Sequence, residues 1–177
     1  MKDIDLRGLD SVVGIAASGR TPYTIATLEY ARSLGCLTVA LTCNADSETA
    51  KIADISIAPV VGPEVISGST RMKAGTSQKM VLNMISTGVM VKSGKVYGNY
   101  MVNVQATNEK LVKRSINMIK AINDLDDAKA KELFYSSGKS VAIATIMAKA
   151  KVDRGTAEKT FEDCDGMIRE AIAKLNG

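Results

Sequence analysis

The chain has 177 residues, of which 46% are apolar and 24% are charged, and its formal net charge is +4. These values are typical of one globular domain with a real core, and they leave room for a small appendage. Histidine and tryptophan are absent, and the aromatic residues are two Phe and five Tyr. The composition therefore excludes Ser-His triads and histidine metal sites, and it argues against a nucleic-acid surface built on aromatic stacking.

The three cysteines, Cys36, Cys43 and Cys164, form no C-x-x-C pair and are interpreted as reduced intracellular thiols. No apolar run approaches the length of a transmembrane helix. The polar start over residues 1–5 does not resemble a signal peptide, because no apolar segment follows it. We therefore expect a cytoplasmic protein without a membrane or nucleic-acid partner.

Three apolar runs predict strands buried in a parallel sheet: residues 12–17, 37–42 and 55–58. Helices are predicted over about 22–34 and 48–52, since Thr21 and Pro22 suit a helix start and Gly35 suits a helix end. An order in which strands alternate with helices predicts an α/β fold with right-handed parallel crossovers.

A long helix is predicted over about 70–91, followed by a loop over 92–99. Five residues recur at helical spacing and predict a core-facing stripe: Val81, Met84, Ile85, Gly88 and Val89. Thr107 is expected to cap a helix over about 108–122.

Beyond residue 123 the alanine content rises, and three helices are predicted over about 126–135, 139–150 and 154–175. The sequence therefore predicts an α/β domain over residues 1–123 and a three-helix subdomain over residues 124–177.

A small polar turn, Ser18-Gly19-Arg20-Thr21, follows the first predicted strand and precedes a predicted helix. In open parallel sheets, ligands bind beyond the carboxyl ends of the strands, where helix N-termini attract anions. The turn is therefore a candidate phosphate-binding loop. The plainer alternative stays open, in which Thr21 and Pro22 only begin a helix.

The second candidate is the loop over residues 62–76, which runs into the long helix. It supplies hydroxyl groups, two cations and one carboxylate: Ser67, Ser69, Thr70, Arg71, Lys73 and Glu64. Hydroxyls and cations suit an anion, whereas a carboxylate accepts hydrogen bonds from sugar hydroxyls. Because both loops follow strands of one parallel sheet, we expect them to meet at one edge. The alternative is an ordinary capped helix with an exposed Arg and Lys.

Five segments carry a family resemblance: residues 14–23, 62–76, 78–88, 94–99 and 107–111. The first resembles the sugar-phosphate-binding loop of sugar isomerase (SIS) domains. The second resembles the signature shared by N-acetylmuramic acid 6-phosphate etherases and the glucokinase regulatory protein. The remaining segments are similar to the bacterial etherases. The resemblance implies a parallel three-layer SIS fold that lacks its first strands here, with residues 1–123 as a partial SIS domain and residues 124–177 as a UBA-like subdomain.

The resemblance also implies an activity. Etherases of this family are carbon–oxygen lyases of peptidoglycan recycling, and they convert N-acetylmuramic acid 6-phosphate into N-acetylglucosamine 6-phosphate and D-lactate. The reaction is an elimination followed by a hydration, and it needs neither a metal nor a cofactor. By resemblance, Ser18, Gly19, Arg20 and Thr21 contact the phosphorylated amino sugar. The same resemblance makes Glu64, Ser67, Ser69, Thr70, Arg71 and Lys73 residues that line the site.

Family members carry two acid–base glutamates and a first glycine-rich loop upstream of the strand that matches residues 12–17, whereas eleven residues precede that strand here. We therefore assign no catalytic residue. The strand is expected to present an unpaired edge that pairs with a second copy, as a homodimer, or with a separate N-terminal half. Two other functions stay open: a non-catalytic sugar-phosphate-binding or regulatory module, and an aldose–ketose isomerase, against which the 62–76 loop argues.

Overall fold

A computed structural model describes residues 4–177 of the chain. The chain forms two compact units, residues 1–85 and residues 86–177, and the division falls within helix α3. The elements up to that helix are β1 (Ser11–Ile15), α1 (Pro22–Ser33), β2 (Leu37–Leu41), α2 (Glu48–Ile52), β3 (Ile55–Ile57) and α3 (Lys73–Lys92). The elements after it are β4 (Val96–Tyr97), β5 (Tyr100–Met101), α4 (Glu109–Asn123), α5 (Asp127–Ser136), α6 (Val141–Ala150), α7 (Arg154–Asp163) and α8 (Ile168–Asn176).

The first unit is built on a parallel three-stranded sheet with the strand order β1-β2-β3. Val13 pairs with Val39, which in turn pairs with Ile55, so the strands are in register across the sheet. The predicted α/β fold and its three parallel strands are confirmed. Since β1 is an outer strand among the described residues, one of its backbone edges is unpaired, as expected.

Helix α1 packs closely on one face of this sheet. A side chain added at Gly14 would lie within 2.8 Å of Leu28 and Thr24, so the helix rests directly on the strand backbone. Leu28 and Ala31, which belong to α1, are buried. Glycine at this position of β1 therefore allows the close approach that fixes α1 over the sheet.

The opposite face of the sheet is apolar. Val39 and Leu41 of the central strand are buried on it, whereas its periphery is open. Alternation along the strands directs Val13, Ile15, Leu37 and Ile55 to this face, and their exposed fractions lie between 38% and 46%. Aliphatic side chains exposed together on one sheet face are unusual in a stable monomer. No helix of the described residues buries these four side chains.

The amino end of β2 is fixed by a carboxylate. Asp54 accepts hydrogen bonds from the backbone N–H of Thr38 at 2.9 Å and from its hydroxyl at 2.7 Å. These bonds, together with the nearby charge of Arg32, lower the pKa of Asp54. Asp54 therefore ties the end of α2 to the start of β2, far from the edge where both candidate loops begin.

The second unit has its own apolar core. Phe134, Ile119 and Ile146 are fully buried in it. Helix α4 buries Met118 and Ile119 and packs against α5 and α6. The boundary predicted after residue 123 lies inside this unit, because α4 contributes to the same core as the helices that follow it.

The last predicted helix is two helices in the structure. The single helix expected over about 154–175 is wrong, because the chain turns between α7 and α8. Asp165 and Gly166 adopt left-handed backbone conformations with φ of 50° and 77°. The N–H of Gly166 bonds to the carbonyl of Phe161, which closes α7 as a left-handed helix end. The C-terminal part therefore has four helices, α5–α8.

Two further expectations differ from the structure. Asn108, not Thr107, caps α4, since its side chain accepts from the N–H of Leu111. The core stripe of α3 is wrong for Met84, Gly88 and Val89, which are exposed. Periodicity identified an apolar face on α3, but only Ala74 of this helix is buried.

Among the described residues, no helix is long and apolar enough to cross a membrane.

Replacing Phe134 with Ala should lower the free energy of unfolding of the second unit by about 3–5 kcal/mol, because it empties the centre of a packed core. The matched control is Tyr135→Ala. Tyr135 is 51% exposed and makes an edge contact with the Phe134 ring at 5.2 Å, so its loss should cost about 0.5–1.5 kcal/mol. Urea unfolding followed by circular dichroism measures both. Equal losses for the two variants would contradict the assignment of Phe134 to the core.

Candidate active site

The candidate site lies at the carboxyl edge of the three-stranded sheet. The Ala17 carbonyl, just after β1, accepts hydrogen bonds from the N–H of Cys43 at 2.8 Å and from the hydroxyl of Thr42 at 3.2 Å. These bonds join the chain leaving β1 to the chain leaving β2. The loop that begins at Ser18 is therefore fixed at one end of the sheet.

Gly19 packs this loop against the start of α2. Its carbonyl accepts from the N–H of Thr49 at 3.1 Å, and its φ is 64°. A side chain at Gly19 would lie 2.3 Å from the Cβ and Oγ of Ser47, which are buried. Glycine is thus required twice, by the left-handed backbone and by the close approach of α2.

The start of α1 leaves backbone donors open. Thr21 occupies the N-cap position, but its side chain makes no capping hydrogen bond, and Pro22 has no N–H. Among the described residues, no partner accepts from the N–H groups of Tyr23 and Thr24. The positive end of the helix dipole therefore points into the Ser18–Thr21 loop with free donors, which is the arrangement that attracts an anion.

The start of α3 lies at the same edge. The sulfur of Cys43 lies 3.7 Å from the Ser77 hydroxyl, and the side-chain amide of Gln78 donates to the carbonyl of Leu41 at 3.3 Å. Both contacts join the first turns of α3 to the end of β2. The structure thus brings both candidate loops to one edge of the first unit, as their positions after parallel strands predict.

Glu64 has a different environment from the one expected. Its carboxylate accepts hydrogen bonds from the backbone N–H groups of Lys73 and Ala74, each at 3.0 Å. These bonds, with the charge of Lys73, lower the pKa of Glu64. A carboxylate held in this way is a weak base.

The remaining residues of the second loop face outward. Ser67, Thr70, Arg71 and Lys73 are exposed, and Ser69 is half-buried. In the first loop, Ser18, Arg20 and Thr21 are also exposed. The side chains of both loops are thus accessible to a ligand at the carboxyl edge, and their individual contacts stay predictions.

Sequence reasoning missed four residues that connect the two loops: Thr42, Cys43, Ser77 and Gln78. The signal available was their position, since Thr42 and Cys43 end a predicted strand and Ser77 and Gln78 lie in the first turns of a predicted helix.

In the part of the chain that the structure describes, no group of three or more Cys, Asp or Glu residues is placed to hold a metal ion.

The family model of the SIS domain matches residues 5–87. Residues 5–87 are therefore similar to the SIS domain family. The matched segment contains the sheet, both candidate loops and most of α3.

Curated relatives extend the similarity to nearly the whole chain. N-acetylmuramic acid 6-phosphate etherase 1 of Enterococcus faecalis is 52% identical over 168 residues, which are 95% of this chain and 56% of the relative. The etherase of Clostridium botulinum is 49% identical over 176 residues, 99% of this chain and 58% of the relative. The etherase of Escherichia coli is 50% identical over 174 residues, 98% of this chain and 58% of the relative. The chain thus spans 56–58% of the length of these relatives.

Gly19→Ala should destabilise the first unit more than Gly68→Ala, although both glycines have positive φ, of 64° and 83°. Both substitutions carry the left-handed backbone cost of about 1–2 kcal/mol. Only Gly19 also meets a neighbour, since nothing lies within 4 Å of a side chain added at Gly68. Overpacking adds about 1–3 kcal/mol at Gly19. Thermal unfolding measures both, and an equal loss would show that the loop does not rest on α2.

Proposed function

We propose that this chain is the C-terminal, substrate-binding part of an N-acetylmuramic acid 6-phosphate etherase, a carbon–oxygen lyase of peptidoglycan recycling. The observation that carries the proposal is the identity of about 50% to curated etherases over nearly the whole chain. Its three free cysteines fit the expected cytoplasmic setting.

In the proposed site, the loop of Ser18, Gly19, Arg20 and Thr21 binds the phosphate of the amino sugar. The free N–H groups at the start of α1 and the Arg20 guanidinium supply donors and positive charge for it. The hydroxyl groups of Ser67, Ser69 and Thr70, with Arg71 and Lys73, line the sugar side. The phosphate is assigned to α1 because the donors at the start of α3 are already occupied by Glu64.

A non-catalytic sugar-phosphate-binding module is the second candidate, and one observation favours it. Glu64 is the carboxylate of the predicted site residues, and two backbone N–H groups hold it in its ionised form. Proton abstraction next to a carbonyl needs an acid–base group with a matched pKa. In the etherase reading, that group comes from the part of the relatives outside this chain.

The phosphate site is tested by melting temperature and calorimetric affinity with N-acetylmuramic acid 6-phosphate, against N-acetylmuramic acid without the phosphate. The phosphorylated sugar should stabilise the chain and the unphosphorylated one should not. Arg20→Gln should weaken binding roughly 10- to 100-fold, the worth of a hydrogen bond to a charged group. Arg114→Gln removes the same charge from α4 and should leave the affinity unchanged.

Equal weakening by the Arg20 and Arg114 substitutions would contradict the proposed phosphate site. D-lactate release, measured in the same samples against a protein-free control, separates the two functions. Release supports a complete etherase site, whereas ligand binding without release supports a binding part that requires the remaining etherase segment.

We further propose that the first unit pairs through β1 and the open sheet face, with a second copy or with the segment of the etherase outside this chain. The unpaired edge of β1 and the exposed side chains of Val13, Ile15, Leu37 and Ile55 support this proposal.

Sedimentation velocity of the isolated chain should therefore show self-association that Ile15→Thr weakens, because the change removes apolar area from the open face. Leu9→Thr is the control, since Leu9 is fully exposed and precedes β1. A folded chain that stays monomeric at all concentrations would contradict pairing with a second copy, and an equal response to both substitutions would contradict the role of the sheet face.

A further inference from the structure

Glu64 closes the second loop through the first two backbone donors of α3. Its Oε2 accepts from the N–H of Lys73 and its Oε1 accepts from the N–H of Ala74, both at 3.0 Å. The two oxygens of one carboxylate thus bind two successive peptide groups. The carboxylate also lies at the positive end of the helix dipole, where a negative charge is stabilised.

The other donors of the helix start are also occupied. The N–H of Gly75 bonds to the carbonyl of Thr70 at 3.1 Å, and the N–H of Thr76 bonds to the carbonyl of Met72 at 3.1 Å. A helix start leaves four N–H groups without intrahelical partners, and at α3 all four are bound within the chain. A ligand therefore finds no free donor at this helix start, in contrast to the start of α1.

The segment between Glu64 and Lys73 has few other contacts that fix it. Val65, Ile66 and Met72 are 78%, 67% and 66% exposed, so burial contributes little to its conformation. Within the segment, the N–H of Ser69 bonds to the carbonyl of Ile66 at 3.2 Å. The carboxylate bonds are the strong contacts that join the two ends of the loop, because hydrogen bonds to charged groups exceed neutral ones.

We propose that Glu64 is a positioning residue, which fixes the Ser67–Thr70 loop for the sugar by clamping the start of α3 and does not itself act on the substrate. This inference rests on the proposed function only in assigning the sugar to that loop. Removal of the carboxylate should free the N–H groups of Lys73 and Ala74 and loosen Ser67, Ser69 and Thr70. Sugar recognition should then weaken, while phosphate binding at Ser18–Thr21 is retained.

The first measurement is amide hydrogen exchange by NMR, on the full chain and its Glu64→Gln variant. Gln offers one acceptor and presents an N–H₂ group to the second donor, so it cannot hold both peptide groups. Exchange at Lys73 and Ala74 should accelerate roughly 10- to 100-fold, as expected for a lost hydrogen bond to a charge. Amides of β2 should not change. Glu109→Gln is the control, because it removes a carboxylate from the first turn of α4, where Asn108 supplies the cap.

Acid provides the same test without a substitution. The folded-state pKa of Glu64 is lowered, so its stabilising bonds are complete at neutral pH and are lost as the pH falls through that lowered pKa. Protection of Lys73 and Ala74 should fall with Glu64 protonation in the wild-type chain. It should stay low and constant in Glu64→Gln. Lys73 is the charged group that acts on this carboxylate.

The second measurement compares the affinities of two probes, N-acetylglucosamine 6-phosphate and inorganic phosphate. Glu64→Gln should weaken the sugar phosphate about tenfold and leave inorganic phosphate unchanged. Glu64→Asp should not restore the affinity, because the shorter side chain does not reach both N–H groups. This difference between probes distinguishes positioning of the sugar loop from a general loss of fold.

Unchanged exchange at Lys73 and Ala74 in Glu64→Gln would overturn the clamp. Faster exchange with unchanged sugar-phosphate affinity, or with equal weakening of both probes, would overturn its positioning role. If the wild-type chain binds neither probe, the proposed sugar-phosphate site fails, and the exchange rates alone decide whether Glu64 clamps α3.

Discussion

The parallel pairing of β1 with β2 is the constraint on which the candidate site depends. Parallel strands have their carboxyl ends at one edge, so the loops that leave them emerge side by side. The Ala17 carbonyl secures this edge by accepting from Cys43 and Thr42, and Gly19 then seats the first loop on the start of α2. An antiparallel partner for β1 would send the Ser18–Thr21 loop to the opposite end of the sheet.

The two helices that begin at this edge differ in the state of their backbone donors. Helix α1 follows a cap without a side-chain hydrogen bond and has unpartnered N–H groups at Tyr23 and Thr24. Helix α3 has its first two donors bound by Glu64. One helix start is therefore electrostatically available to an anion, and the other is neutralised internally. This difference supports a site in which phosphate and sugar are recognised by different loops.

The two compact units also differ in how completely they bury their apolar side chains. The second unit encloses Phe134, Ile119 and Ile146 in a core of its own. The first unit covers one face of its sheet with α1 and leaves Val13 and Ile15 exposed on the other. Because hydrophobic burial is the main favourable term in folding, the first unit has more to gain from association.

The sequence by itself determined the three strands, the helices between them, the two polar loops and the family, because apolar runs, helix signals and motifs are local properties of the chain. Only the tertiary structure decided the partners of Glu64, because the backbone N–H groups of Lys73 and Ala74 lie nine and ten residues away and almost any residue type supplies such a donor. It also decided that Met84 and Val89 are exposed, because periodicity reveals an apolar face but not what covers it. The break at Asp165 and Gly166 was not predicted, because the apolar pattern continues on both sides of it. The left-handed backbone that separates α7 from α8 is visible only in the structure.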